Sequence, residues 1–280
     1  MSVVKVTAVV LNYNTADDCK KCLEYLRKQD YENLSVIVVD NASPKEGEQD
    51  RLRVLCKNEK LILNNKNSGF SAGNNVGLRA AIADGSEWMV IINPDVELRD
   101  PHYISYVMDE LPKWPEVAVV GTNTLLPSGE KQNPTREITA VEEILWPIEF
   151  IKQKTGHWDG YRSKDETGYC DKVCGCCFFI SKEFLELNGY LDEAVFMYCE
   201  EPILGKSVLK HGFKELYIKE VTANHEHYNH QKLGNSGTKM SLFLKSRVYY
   251  INEYSGYNGM LKKIAIISRK LQLWFWERRS

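Results

Sequence analysis

Four apolar runs in the first hundred residues each stop at a cluster of small polar side chains. Val3 to Leu11 ends in Asn12-Tyr13-Asn14, and Leu34 to Val39 ends in Asp40-Asn41-Ala42-Ser43. Leu61 to Leu63 leads into the glycine-rich segment Asn67 to Gly77, and Trp88 to Ile92 ends in Asn93-Pro94-Asp95. The runs are β-branched and almost continuously apolar, as expected of strands buried on both faces. Between them lie helical patterns, the first from Thr15 or Asp17 to about Lys28 with Cys19, Cys22, Leu23 and Leu26 on one face. Strand and helix in alternation predict a parallel sheet covered on both faces by helices. Ligands of such sheets bind at the C-terminal strand ends. One polar cluster there is ordinary turn chemistry, whereas four on the same rim point to a bound molecule.

The second half is less regular. The patterns predict a helix from position 100 through Leu111 and a strand from Val117 to Gly121. Residues 128–170 are polar and read as an insertion or mobile loop, with a helical piece near Glu142 to Lys154. Val173 to Ile180 reads as a strand, Lys182 to Leu187 as a helix stopped by Asn188-Gly189, Pro202 to His211 as a helix and Phe213 to Ile218 as a strand. Met240 to Tyr254 and Met260 to Arg278 are the final helices.

Several classes are disfavoured. No apolar stretch reaches the ~18 residues of a membrane span, and "MSVVKVTAVVLNYN" alternates like a strand instead of resembling a secretory leader. The eight cysteines do not form a disulfide framework. Cys19 and Cys22 form a CxxC inside a helical pattern with no second pair at zinc spacing, and Cys174, Cys176 and Cys177 crowd one apolar run. Reduced, buried thiols of a cytoplasmic protein are expected. Net charge is −2, but residues 239–280 carry nine Lys and Arg against Glu253 and Glu277. That segment is expected to meet an acidic surface. No nucleic-acid partner is expected.

"NSGFSAGNNVG" is neither a dinucleotide fingerprint nor a P-loop. Its Gly69 and Gly73 are expected to let backbone approach a diphosphate, with Asn74 and Asn75 opening a helix whose N-terminus favours anions. "VVLNYN", "VVDNAS", "NSGFSAGNNVG" and "INPDVEL", in this order, resemble family 2 glycosyltransferases of the GT-A fold, and "GCCFFISKEFLELNGYLDEAVFMYCEE" matches the second half of the same pattern. The similarity covers roughly residues 4–230 and is greatest to the rhamnosyltransferase-like branch that builds bacterial surface polysaccharides.

The resemblance implies an α/β fold: a Rossmann-like mixed, mostly parallel sheet with helices on both faces and a C-terminal helical tail. It implies a domain over 1–238, with a nucleotide-sugar half to about 98 and an acceptor half from 99, followed by a basic amphipathic tail at 239–280. The implied reaction is inverting transfer from a nucleotide sugar, dTDP-rhamnose or a UDP-hexose, to a saccharide or lipid-linked saccharide. Asp95 matches the last position of the family's DxD motif and would hold Mg²⁺ or Mn²⁺. Asn93 stands at the first position, so one carboxylate is missing, and it would bond ribose or a metal-bound water. Glu201 would be the general base, with Glu200 the alternative, where the family usually has Glu-Asp. His225 matches a histidine that completes the metal shell, with His227 and His230 as weaker candidates. Leu11, Asn12, Asp40 and Asn41 would contact base and ribose. Asp192 and Glu193 would touch acceptor or sugar or cap the next segment. Lys245 and Arg247 are offered for the diphosphate on charge alone.

In the tail, Leu261, Ile264, Leu271, Trp274 and Phe275 lie near one stripe among Lys and Arg. Such a helix suits the inner face of the cell membrane, or packing on the domain or on a second subunit as a homodimer. The competing function is a non-catalytic nucleotide-sugar-binding or scaffold protein of a glycan assembly complex, kept open by Asn93 and Glu200-Glu201. A nucleotidyltransferase normally has a basic, glycine-rich loop after its first strand, which "NYNTADD" is not.

Overall fold

A computed structural model describes residues 3–226 and 236–278. The first half runs β1 (Val6–Asn12), α1 (Ala16–Leu26), β2 (Leu34–Asp40), α2 (Glu48–Leu55), β3 (Lys60–Leu63), α3 (Phe70–Ala83) and β4 (Trp88–Ile92). β3, β2, β1 and β4 lie side by side and parallel, as the alternating pattern predicts. Successive residues of β1 serve opposite faces. Ala8 and Val10 join Cys19, Cys22, Leu23 and Leu26 of α1 in one core. Val9 joins Leu78 and Ala81 of α3 in the other. The CxxC cysteines are therefore core residues, and all eight thiols are unbridged.

The second half adds β5 (Val96–Glu97), α4 (Tyr103–Glu110), β6 (Val117–Leu125), α5 (Ala140–Ile144), α6 (Trp146–Thr155), β7 (Gly168–Cys170), β8 (Cys177–Ser181), α7 (Lys182–Asn188), α8 (Glu200–Lys210) and β9 (Lys214–His225). β8 lies antiparallel between β4 and β6, and β9 runs parallel to β6. The full order is β3-β2-β1-β4-β8-β6-β9-β5, with β7 on β9. The mixed sheet, its helices on both faces and the terminal helices α9 (Ser236–Glu253) and α10 (Gly259–Glu277) accord with the expected fold class.

Four sequence expectations are corrected. β8 begins at Cys177, not Val173, because the chain from Val173 to Cys176 turns beneath the site. β9 is 12 residues long and reaches His225. Its register against β6 slips between Thr122 and Asn123, so its polar second half continues the strand. β5 and β7 are too short to leave a periodic signal. Residues 128–170 are built in rather than a loose loop. Thr139 and Glu142 close a capping box on α5, and Arg136 holds Glu142 at 2.8 Å.

A buried ion cluster ties α5 to the tail. Arg247 of α9 and Arg269 of α10 each donate from Nε to Glu143 at 2.6 Å, one to each carboxylate oxygen. All three side chains are buried. Removing one member of such a cluster leaves an uncompensated charge, which costs about 3–5 kcal/mol.

Two outcomes are expected. Glu143→Ala should lower unfolding stability by ~3 kcal/mol or more in urea titration, whereas a change under 1 kcal/mol would refute the clamp. At Gly77 an added Cβ would sit 2.4 Å from Val9 Cγ1. Gly77→Ala should therefore destabilise by ~1–3 kcal/mol, despite the ~1 kcal/mol that alanine ordinarily adds to a helix interior.

Candidate active site

Asp95 sits in the turn between β4 and β5, where the Val96 amide closes on the Asn93 carbonyl at 3.1 Å. β5 pairs with the far end of β9, Val96 opposite His225. The Glu226 amide donates to the Asp95 carbonyl at 2.8 Å. That pairing brings His225 Nε2 to 3.4 Å from Asp95 Oδ1, with both side chains buried. On the other side of the ring, His225 Nδ1 meets Gln132 Oε1 at 2.6 Å. An amide oxygen only accepts, so Nδ1 donates to Gln132, and this bond turns Nε2 toward Asp95. Gln132 belongs to the polar stretch taken as a loop, and no local pattern marked it.

The acidic pair opens α8. Cys199, the residue before it, adopts a left-handed conformation at φ 65°, which aims Glu200 and Glu201 inward. Glu201 Oε1 accepts from the Gly175 amide at 3.2 Å. The next residue, Cys176, accepts from the Asn93 amide at 2.7 Å. One short main-chain path thus links the Asn93-Pro94-Asp95 turn to Glu201. Both carboxylates line a narrow cavity with Phe70 and Ser71, the first turn of α3. Burial, and then the charge of Glu201, push the Glu200 carboxyl up to about 8.

The four strand-end clusters do meet on one rim, but several members are used internally. Asn12 and Asp40 are fully buried. Asn12 donates to Asp40 Oδ1 at 3.0 Å, and Asp40 also receives Ser43 Oγ, the Ser43 amide and Gln49 Nε2. Asn41 donates to Asn67 Oδ1 and the Gly69 carbonyl and accepts from Asn64. These residues form the floor of the rim, on which half-buried Leu11 and Asn93 lie.

The glycine-rich segment is corrected more sharply. α3 begins at Phe70, so Asn74 and Asn75 stand in its second turn and do not open it. Asn75 is spent on the Leu191 backbone and Glu193, and Asn74 donates to the Phe70 carbonyl. An added Cβ at Gly69, where φ is +103°, would lie 2.4 Å from the Phe196 carbonyl oxygen; one at Gly73 would lie 2.7 Å from Leu11 Cδ1. Both glycines admit neighbouring protein closely.

Asp192 and Glu193 are also occupied. Asp192 Oδ2 accepts from Tyr249 and Tyr254 of α9 at 2.8 and 2.6 Å. Glu193 meets Arg79 at 3.2 Å. These carboxylates hold the 190s loop against α3 and the tail. Arg247 is committed to Glu143, and Lys245 lies 3.6 Å from Glu277. His227 and His230 fall outside the described residues.

A metal ion fits this donor set only in company. Among the described residues no three His, Cys, Asp or Glu side chains converge on one point. Asp95 and His225 offer one oxygen and one nitrogen donor, which leaves positions for phosphate and water. The neighbouring Cys176 thiol is pushed well above its ordinary value, first by its contact with Cys174 and then by burial. It stays protonated, which disfavours thiolate-bound zinc.

Comparison with known proteins follows the same lines. The chain is 28% identical over 202 residues to a low-salt glycan biosynthesis hexosyltransferase of Haloferax volcanii, covering 69% of this chain and 58% of that protein. It is 22% identical over 263 residues to the N-acetylglucosaminyl-diphospho-decaprenol L-rhamnosyltransferase of Mycobacterium tuberculosis, covering 89% of this chain and 85% of that one. Among solved structures, a Pyrobaculum calidifontis mannosyltransferase in complex with GDP-Man and Mn²⁺ superposes with a TM-score of 0.59 at 15% identity, over 99% of this chain and 74% of that one. S. aureus TarS in complex with UDP-GlcNAc gives 0.60 at 12% identity, over 96% and 73% of the two chains. Likeness at that identity establishes the shared GT-A fold. The profile of glycosyl transferase family 2 matches residues 7–186, and the chain belongs to that family.

Proposed function

We propose that the protein transfers a hexose or deoxyhexose, with inversion, from a nucleotide sugar such as dTDP-rhamnose or a UDP-hexose to a saccharide or lipid-linked saccharide. One observation carries this reading: two residues from motifs 130 positions apart in the chain, Asp95 and His225, stand 3.4 Å apart on the rim. The hexosyl and rhamnosyl relatives and the sugar-nucleotide complexes among the fold neighbours support it. The mannosyltransferase complex names Mn²⁺, which favours Mn²⁺ or Mg²⁺ here.

The residues divide the work by environment. Asp95 and His225 would hold the cation together with the donor diphosphate. Bound there, a divalent ion supplies the positive charge that the departing diphosphate requires. Gln132 fixes the imidazole so that Nε2 faces that position. Asn93, beside Asp95, is placed for ribose or a coordinated water. Glu200, with its carboxyl raised to about 8, is neutral at neutral pH, which leaves Glu201 as the base. As the acceptor oxygen bonds to the anomeric carbon and the bond to the diphosphate breaks, the hydroxyl proton passes to the Glu201 carboxylate. The Gly175 amide keeps that carboxylate aimed.

Release of nucleoside diphosphate from a panel of donors with Mn²⁺ tests the assignment. Asp95→Ala and Glu201→Gln should each lose ~10²–10⁴-fold in rate, with Glu201→Gln still stabilised thermally by donor and Asp95→Ala not. A donor that raises the melting temperature but is never turned over, with any acceptor, would favour the scaffold reading.

The Glu200 environment has its own pH signature. Unfolded, the carboxyl ionises near its ordinary 4.5; folded, near 8. Between those values the folded state holds the extra proton, so this group's contribution to stability falls as pH rises. The melting-temperature advantage of Glu200→Gln over wild type should be near zero at the acid end, grow across that window and level off above it. A difference independent of pH would contradict the placement.

A further inference from the structure

α10 packs on the domain with a polar side and turns an apolar side outward. Arg269, Gln272 and Ala265 are buried. Met260, Ile264, Ile267, Leu271 and Trp274 are 75%, 42%, 58%, 60% and 53% exposed. Their spacing of four, three, four and three residues sets all five on one stripe, about 21 Å long at 1.5 Å per residue. The inward contact is fully specified: Arg269 bonds Glu143, and Ser268 Oγ donates to the Ile144 carbonyl at 2.9 Å. The helix therefore has a fixed seat, and the stripe is what remains.

Charge distinguishes the occupants. Lys263 and Lys270 are exposed on one border of the stripe. Between 259 and 278 the sequence has one acid, Glu277, which is already engaged by Lys245 at 3.6 Å and Ser241 at 3.1 Å. A second copy laid on this stripe would bring lysines without carboxylates to meet them. α6, which follows directly on α5, adds exposed Ile148, Phe150 and Ile151, with Lys154 over the Phe150 ring at 4.6 Å. Among the described residues no helix is long and apolar enough to cross a membrane. An apolar stripe bordered by lysines, with Trp274 near its end, matches the boundary between acyl chains and anionic headgroups.

We propose that the outward face of α10 lies in the plane of an anionic lipid surface, its apolar side chains in the acyl boundary and Lys263 and Lys270 on headgroup phosphates. This surface is independent of donor chemistry, so either claim can fail alone.

Flotation of the full chain with vesicles tests it. The protein should rise with an equimolar mixture of phosphatidylcholine and phosphatidylglycerol and stay at the bottom with phosphatidylcholine alone. Leu271→Glu combined with Trp274→Glu should abolish flotation, and Lys263→Glu with Lys270→Glu should cut the partition coefficient ~tenfold or more. All these side chains are exposed, so circular dichroism and donor hydrolysis in solution should be unchanged. Absence of flotation on both vesicles, or equal flotation on both, overturns the proposal. So does a wild-type dimer by light scattering that becomes a monomer in Leu271→Glu/Trp274→Glu, which would assign the stripe to self-association.

Discussion

The arrangement depends on one pairing, the antiparallel insertion of β8 between β4 and β6. It carries the chain back across the end of β4, where the Cys176 carbonyl accepts the Asn93 amide at 2.7 Å. That bond fixes the turn presenting Asp95. One residue earlier, the Gly175 amide fixes Glu201. Main-chain bonds of two adjacent residues, Gly175 and Cys176, thus position both Glu201 and the turn that carries Asp95. Buried main-chain groups must be paired, so each of these contacts also satisfies a requirement of folding.

The terminal helices belong to the same construction. Tyr249 and Tyr254 hold Asp192, Ser246 Oγ donates to the Met197 carbonyl, and Tyr250 packs with Val195, Cys199 and Ile203. The left-handed residues Tyr198 and Cys199, at φ 72° and 65°, are therefore clasped from outside. Such conformations cost of order 1 kcal/mol or more each and persist where surrounding contacts over-determine them. The clasp is how the aim of Glu200 and Glu201 is maintained. Glu143 anchors it by holding Arg247 and Arg269 from α9 and α10 together.

The sheet and its rim were legible because buried parallel strands leave continuous apolar runs and their ends leave turn residues. Asp95, His225, Glu200 and Glu201 were singled out through resemblance, since nothing local separates them from turns and caps. Gly69, Gly73 and Asn75 have the residue types of a phosphate loop, and those types equally suit the close packing that the Cβ contacts with Phe196 and Leu11 display. Only the start of α3 at Phe70, ahead of Asn74 and Asn75, was misplaced. Gln132 was hidden because a single amide in a polar stretch has no periodicity. In α10 the apolar stripe was visible but its direction was not. Periodicity marks a face, and a buried Arg269 paired with Glu143 can take the inward side instead.

The central claim is that Asp95 and His225 share a cation with the donor diphosphate opposite Glu201. Crystals grown with Mn²⁺ and a nucleoside diphosphate, measured at the manganese edge, test it most directly. A single anomalous peak is expected between the Asp95 carboxylate and His225 Nε2, in contact with the diphosphate. A nucleotide bound on the rim with its manganese elsewhere, or with His225 turned from it toward other protein groups, would contradict the account.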